Sequence, residues 1–395
     1  MASSDVPTVI ADLAGWLTSE ARLIEDSGVL DQVIVDKLRA AGLPLARYTT
    51  GVPSLHPQVD SFSTLWEQGK GLTFRQFKLD PDAVSRVSDS PIFAAYREGR
   101  STRWRLTGPA AEDEPEILRD LREAGLTDYV ILALPLSDGS NKAMTFATDA
   151  AEGFSDDQVA ILMGLRHAFA SVMEVRYLWH LAGTLMDTYV GPVAGRKVLD
   201  GAIRRGSGDI IRAAIWFCDL KGFTALTETL PGAQLLETLD RYFDVMTEAI
   251  EAEGGEVLKF IGDAVLAIFQ PGEEGDTAAA ERALRAAQQA VATLETVNRE
   301  RRQDDKPAID CGIALHVGEV LYGNVGGRKR LDFTVIGPAV NLASRIESLT
   351  RELARPVLVS QAFADLHGGA FDALGAFALK GIAEEARVYA PSQCT

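Results

Sequence analysis

The chain has 395 residues, 39 Lys+Arg against 56 Asp+Glu, and a formal net charge of −17. That length suggests two or three domains, and a hydrophobic share of 47% with 24% charged residues is the balance of packed cores, which excludes a disordered chain. So acidic a surface repels nucleic-acid backbones and anionic lipid surfaces. Three cysteines (Cys218, Cys311, Cys394) without paired spacing exclude a disulfide framework and a zinc site, and are expected as reduced, mostly buried thiols. The first residues carry Asp5 and no basic-then-apolar pattern, and no apolar run reaches spanning length, so a cytoplasmic protein without signal peptide or membrane span is expected.

In chain order, residues 8–41 read as helical, with Leu13, Trp16, Leu17, Leu23, Ile24, Val29, Val33, Ile34 and Leu38 at helical spacing, and Gly42 and Pro44 ending the pattern. Residues 43–172 read as mixed α and β. Asp80-Pro81 and Ser90-Pro91 mark turns or helix starts. Ile117 to Ala124 is a short amphipathic helix closed by Gly125, and Asp128 to Leu136 is a buried strand. Asp138-Gly139 turns the chain, and Lys142 to Ala147 returns as a second strand. Ser155, followed by Asp156 and Asp157, caps a long helix over about 156–187.

Leu134-Pro-Leu-Ser-Asp-Gly139 and Gly153-Phe-Ser-Asp-Asp157, in this order of elements, resemble a GAF domain, with a PAS-like sensor as the competing reading. The resemblance implies an α/β sensor over 43–172, behind an N-terminal helical segment at 1–42. The long helix carries Leu165, Phe169, Val172, Val175, Leu178, Trp179 and Leu185. So broad a stripe wants a partner: its own domain, or a second copy in a parallel dimer that transmits a signal. Six glycine or proline positions from Gly191 to Gly208 read as a connector, so 173–208 is taken as signalling helix and linker. No internal repeat occurs.

Ile211 to Cys218 is an apolar strand ending in Asp219, which places a carboxylate at a sheet edge. After a helix from about Pro231 to Glu253, residues 256–269 read as a hairpin with Ile261-Gly262-Asp263 at its tip. If these strands are neighbours, Asp219 and Asp263 converge. Two carboxylates at one spot suit a hard divalent cation such as magnesium, completed by substrate phosphates. Asn341 and Arg345 follow Gly337-Pro338 at four-residue spacing, on one face of a helix. His316 lies on an apolar strand with no ligand partner in spacing and reads as structural; Arg328, Lys329 and Arg330 read as a solvated hairpin or a phosphate contact. No Walker-type loop is present, so a triphosphate would be held by metals and side chains.

Four segments then carry a specific resemblance. Phe217-Cys-Asp-Leu-Lys-Gly-Phe-Thr224, Lys259-Phe-Ile-Gly-Asp-Ala-Val-Leu-Ala-Ile-Phe269, Asp332-Phe-Thr-Val-Ile-Gly-Pro-Ala-Val-Asn-Leu-Ala-Ser-Arg345 and Phe377-Ala-Leu-Lys-Gly381 resemble, in family order, the signature of class III adenylate and guanylate cyclases. The resemblance implies an α+β protein whose ferredoxin-like catalytic domain spans 209–391 and works as a head-to-tail homodimer, joined by the long helix to the GAF-like domain. It implies two Mg2+ per site (Mn2+ as substitute) on Asp219 and Asp263, adenine contacts from Lys259 and Thr334, a phosphate contact from Lys380, and transition-state contacts from Asn341 and Arg345. Chemically, lysine can donate to adenine N1 and threonine can accept from the 6-amino group. Guanylate cyclases typically carry Glu and a Cys-like residue there, so ATP is the expected substrate and cyclic AMP the product. Threonine in place of the common aspartate resembles the bicarbonate-responsive subgroup, which implies bicarbonate as an effector. A diguanylate cyclase would show Gly-Gly-Asp/Glu-Glu-Phe at the hairpin. A catalytically inactive, nucleotide-sensing relative would lack one of these residues, and every matched position is filled. A small-molecule ligand of the N-terminal domain is the remaining expected partner; nucleic acid and membrane are not.

Overall fold

Strict alternation along Asp128–Pro135 sends Val130, Leu132 and Leu134 to one side and Tyr129, Ile131 and Ala133 to the other, and all six are buried. A strand covered on both faces needs helices on both, and the N-terminal unit provides them. The computed structural model describes residues 5–56, 59–77, 90–111, 114–202, 204 and 206–392; Asp80-Pro81 and Cys394 lie outside them. The chain divides into two units, Met1–Thr188 and Tyr189–Thr395.

The first unit contains α1 (Val6–Ser19), α2 (Ser27–Ala40), β1 (Arg47–His56), β2 (Val59–Glu67), β3 (Gly71–Phe77), α3 (Pro91–Glu98), β4 (Thr102–Arg105), α4 (Glu116–Glu123), β5 (Asp128–Pro135), β6 (Asn141–Thr148), α5 (Asp156–Gly164) and α6 (Arg166–Val190). The strands form one sheet in the order β3-β2-β1-β6-β5-β4, and every pairing is antiparallel. On one face Leu17, Leu38, Leu162 and Phe169 pack on Tyr48, Val130, Leu132 and Phe146. On the other, Ala95, Leu118 and Leu121 pack on Tyr129, Ile131 and Ala147. The helices of 1–42 thus belong to the same core as the sheet.

Ser155 caps α5 as its sequence predicts: its Oγ accepts from the Gln158 amide at 3.2 Å, and the Ser155 amide donates to Gln158 Oε1 at 2.9 Å. This reciprocal box contributes about 1 kcal/mol. The single helix expected over 156–187 is instead two, α5 and α6, broken at Leu165. Gly164 ends the first of them where Ile10 of α1 packs so closely that a Cβ would clash.

The second unit contains α7 (Pro192–Leu199), β7 (Gly208–Leu220), α8 (Phe223–Thr229), α9 (Gly232–Ala252), β8 (Glu256–Ile261), β9 (Ala264–Phe269), α10 (Gly275–Gln303), β10 (Cys311–Gly326), β11 (Leu331–Ile336), α11 (Pro338–Glu347), β12 (Val357–Ser360), α12 (Gln361–His367), β13 (Phe371–Phe377) and β14 (Ala386–Pro391). Its eight-stranded sheet runs β13-β14-β12-β10-β7-β9-β8, with β11 paired to β10. The segment β7-α-β8-β9-α10-β10 and its order β10-β7-β9-β8 form the ferredoxin-like arrangement expected from the sequence. On one face Trp216, Cys218, Val265 and Ile313 meet Tyr242 and Met246 of α9 and Ala283 and Ala287 of α10. On the other, Ile215, Leu266 and Tyr322 meet Ala339 and Ala343 of α11.

The segment 191–208, read from sequence as a bare connector, is partly helical. Pro192 opens α7, Ala194 is buried, and the Lys197 ammonium sits 4.3 Å from the centre of the Tyr322 ring. Proline's fixed φ suits a first helical turn, so the punctuation that suggests a linker also starts a helix.

Candidate active site

β7 and β9 pair antiparallel, with Cys218 opposite Val265. Asp219 follows Cys218 and Asp263 lies just before β9, so register alone carries both carboxylates to the same end of the sheet. Gly262 takes a φ of +66° in the two-residue turn joining Ile261 to Ala264, a conformation glycine adopts without steric cost. The Asp219 and Asp263 carboxylates face each other closely enough that the charge of each acts on the other. Partial burial, then the charge of Asp263, push the Asp219 carboxyl up from its ordinary 3.8 to about 6.

On β10, Asp219 faces Gly312 in register. A Cβ on Gly312 would overlap Thr350 Oγ1 and Glu347 Oε1, so those two side chains fill the space that glycine leaves open. Glu347, the last residue of α11, is buried, and its carboxyl is pushed up to about 7 by burial and then by the charge of Asp219. Arg351 counters both acids. Glu347, Arg351 and Gly312 escaped the sequence reading. The signal was there: a glycine inside an apolar strand, and an acid on the helix face shared with Ala339, Ala343 and Ile346.

Asn341 and Arg345 both lie exposed on α11, on the side away from the buried Ala339, Ala343 and Ile346. The cation acting on Asp219 within the chain is Arg351, not Arg345. Lys259 Nζ lies 3.8 Å from Asp332 Oδ2. Asp332 and Thr334 are two apart on β11 and therefore on one face of that strand. The Thr334 hydroxyl is buried without a hydrogen-bond partner among the described residues. Lys380 is exposed between β13 and β14, and Arg328, Lys329 and Arg330 form the exposed turn between β10 and β11.

Cys218 and Cys311 are buried free thiols, and burial pushes the Cys218 thiol up to about 11. His316 is buried with Nδ1 2.7 Å from Ser360 Oγ, and burial lowers it to about 4, as fits a structural imidazole.

The donor set suits a hard divalent cation. Two carboxylates in contact repel until a cation lies between them, and oxygen donors are what magnesium takes. No group of three His, Cys, Asp or Glu able to hold a metal occurs among the described residues.

Residues 208–390 match the family model described as the adenylate and guanylate cyclase catalytic domain. The adenylate cyclase of Anabaena cylindrica is 39% identical over 163 residues, covering 40% of this chain and 31% of that protein. Adenylate cyclase 1 of Rhizobium meliloti (strain 1021) is 29% identical over 240 residues, covering 59% and 36%. The chain spans about a third of the length of these curated relatives. A solved structure, the adenylyl cyclase CyaB from P. aeruginosa, is 27% identical, covers 47% of this chain and 97% of that one, and has a TM-score of 0.43. No helix among the described residues is long and apolar enough to cross a membrane. With the sheet order, the paired aspartates and the family match in agreement, residues 208–390 are a class III adenylate and guanylate cyclase catalytic domain.

Proposed function

We propose that the protein is an adenylate cyclase that converts ATP to 3′,5′-cyclic AMP and pyrophosphate at a site shared by two copies of the chain. The observation that carries this reading is the juxtaposition of Asp219 and Asp263 at the same end of the sheet. These residues would hold two Mg2+ ions, whose chemistry is to lower the pKa of the ribose 3′-hydroxyl and to neutralise the triphosphate. The 3′-hydroxyl gives its proton to Asp219 or to water as its oxygen attacks the α-phosphorus, the bond to the bridging oxygen breaks, and pyrophosphate leaves. Arg345 neutralises charge developing on the α-phosphate, Asn341 holds the ribose, and Lys380 holds the terminal phosphates.

A second copy is needed because Asn341 and Arg345 are exposed and project away from the face on which their helix approaches Asp219. An apolar row supports such an interface. Ile210, Leu321 and Ile336 pair side by side across β7, β10 and β11, and all three are exposed. The apolar residues Leu178, Trp179 and Tyr189 are likewise exposed on α6. We read α6 as the helix through which a GAF-like N-terminal unit gates the catalytic domain; a single antiparallel sheet with helices on both faces supports that assignment.

Lys259 and Thr334 favour adenine over guanine by donor and acceptor matching. Bicarbonate is read as an activator from Thr334; activity unchanged by bicarbonate at fixed pH removes that part alone. The test of the main reading is incubation of the pure chain with Mg2+ and ATP or GTP. Cyclic AMP formation from ATP well above cyclic GMP formation from GTP is expected; no cyclic nucleotide from either substrate contradicts it.

A further inference from the structure

The N-terminal unit contains a cavity of about 230 Å³ bounded by α2, the β1-β2-β3 half of the sheet and α6. Its lining combines groups that a plain helix–sheet seam has no use for. Asp31 on α2 is only 3% exposed. Tyr48 donates its hydroxyl to Asp31 Oδ1 at 2.8 Å, and Thr64 lines the same space. Burying a carboxylate costs several kcal/mol even with such partners, so its place at an open cavity calls for an explanation.

Three residues of α6 face the same space: Met173, Arg176 and His180, spaced so that they share one side of the helix. Arg176 hydrogen-bonds the Ile24 carbonyl and, at 3.0 Å, Ser27 Oγ. Those two bonds fix the guanidinium and leave it further N–H donors, since arginine carries five. Leu30 and Phe74 add apolar wall to a space lined by both the acid and the arginine, whose charges act on each other. Phe74 lines the cavity while 65% exposed, which puts it at the mouth.

We propose that this cavity binds a small organic acid carrying a hydrogen-bond donor at its far end: the donor meets Asp31, the carboxylate meets Arg176, and an apolar body lies against Leu30, Phe74 and Met173. The size favours a ligand with a single ring or a short branched body rather than a nucleotide, since it is below the usual range for drug-sized ligands. The site also has a direct route to function. Arg176 sits on α6, the helix that leads out of the unit, and clamps it to the start of α2 through Ile24 and Ser27. A carboxylate on Arg176 competes for or reinforces that clamp, so occupancy changes how firmly α6 is held. The site stands on the first unit alone and does not depend on the cyclase reading.

The test is titration calorimetry on the full-length chain with 4-hydroxybenzoate, benzoate and phenol, the latter two each lacking one end. Millimolar or tighter binding of 4-hydroxybenzoate is expected, about tenfold or more above either truncated probe. In Asp31→Asn the margin over benzoate shrinks, and in Arg176→Lys the margin over phenol shrinks, because lysine lacks the planar fork. No binding, equal affinity for all three probes, or margins that survive both substitutions overturns the proposal. The three-probe comparison on the unaltered protein decides the matter even where a variant fails to fold.

Discussion

Glu347 reaches toward Asp219 through the gap left by Gly312, and burial, then the charge of Asp219, push the Glu347 carboxyl up to about 7. The end of α11 is thereby seated against the same strand end that carries the paired aspartates. The helix and the two carboxylates are built as one piece.

Gly312→Ala therefore introduces a methyl group where Glu347 and Thr350 already stand. Overpacking of this kind costs about 1–3 kcal/mol. Urea unfolding should show that loss of stability, and cyclase activity should fall more than stability alone explains, because α11 is displaced along with Asn341 and Arg345.

The two aspartates oppose each other in the metal-free protein. Asp219 has its folded-state pKa raised to about 6 from 3.8, so between those values the folded state binds more protons than the unfolded one. Stability then falls as pH rises from about 4 through 6, and the penalty is fully present above 6. Discounted for partial exposure, it amounts to about 1 kcal/mol. Asp219→Asn should raise the melting temperature of metal-free protein at pH 7.5 while abolishing activity, and should leave stability at pH 4 nearly unchanged. A lower melting temperature at pH 7.5 goes against this account.

Much of the catalytic unit was legible in its sequence because each signal is local. A strand that ends in Asp219 and a hairpin tipped by Asp263 need only one pairing to converge, and the Asn341/Arg345 spacing needs only a helix. What stayed hidden depends on packing between distant segments. Glu347 acquires its place from Gly312, and α7 was masked by the same Gly191-Pro192 that begins it. In the first unit, Ser155 marked its helix start correctly, but the close packing of Ile10 of α1 on Gly164, beside the break at Leu165, joins segments far apart in the chain. The cavity around Asp31 had no sequence signal, since its walls come from α2, three strands and α6.

In the proposed function, base selection is assigned to Lys259 and Thr334. Replacing them by the guanine-type pair, Lys259→Glu with Thr334→Cys, should shift the ATP-to-GTP ratio of kcat/KM by about 100-fold toward GTP. The new acid will lie near Asp332, which now neighbours Lys259 at 3.8 Å, so total activity should also drop. Parallel assays with the two nucleotides check this; an unchanged ratio places base recognition elsewhere.

Exposed Leu178 and Trp179 on α6 are read as a seam for a second copy. Leu178→Asp with Trp179→Asp should lower dimer affinity at least tenfold in sedimentation experiments. Circular dichroism should be unchanged, because neither side chain is in the core. Specific activity should become concentration-dependent. Dimerisation that is indifferent to both charges removes α6 from the interface.

The most direct test mixes two inactive proteins. Asp219→Asn/Asp263→Asn lacks the metal carboxylates, and Arg345→Ala lacks the transition-state contact, a loss of about 100- to 1,000-fold. If each site draws these groups from different copies, a heterodimer keeps one intact site, and equal mixing restores about a quarter of unaltered activity. A mixture no more active than the sum of its parts, with subunit exchange verified, would contradict a site shared between two chains.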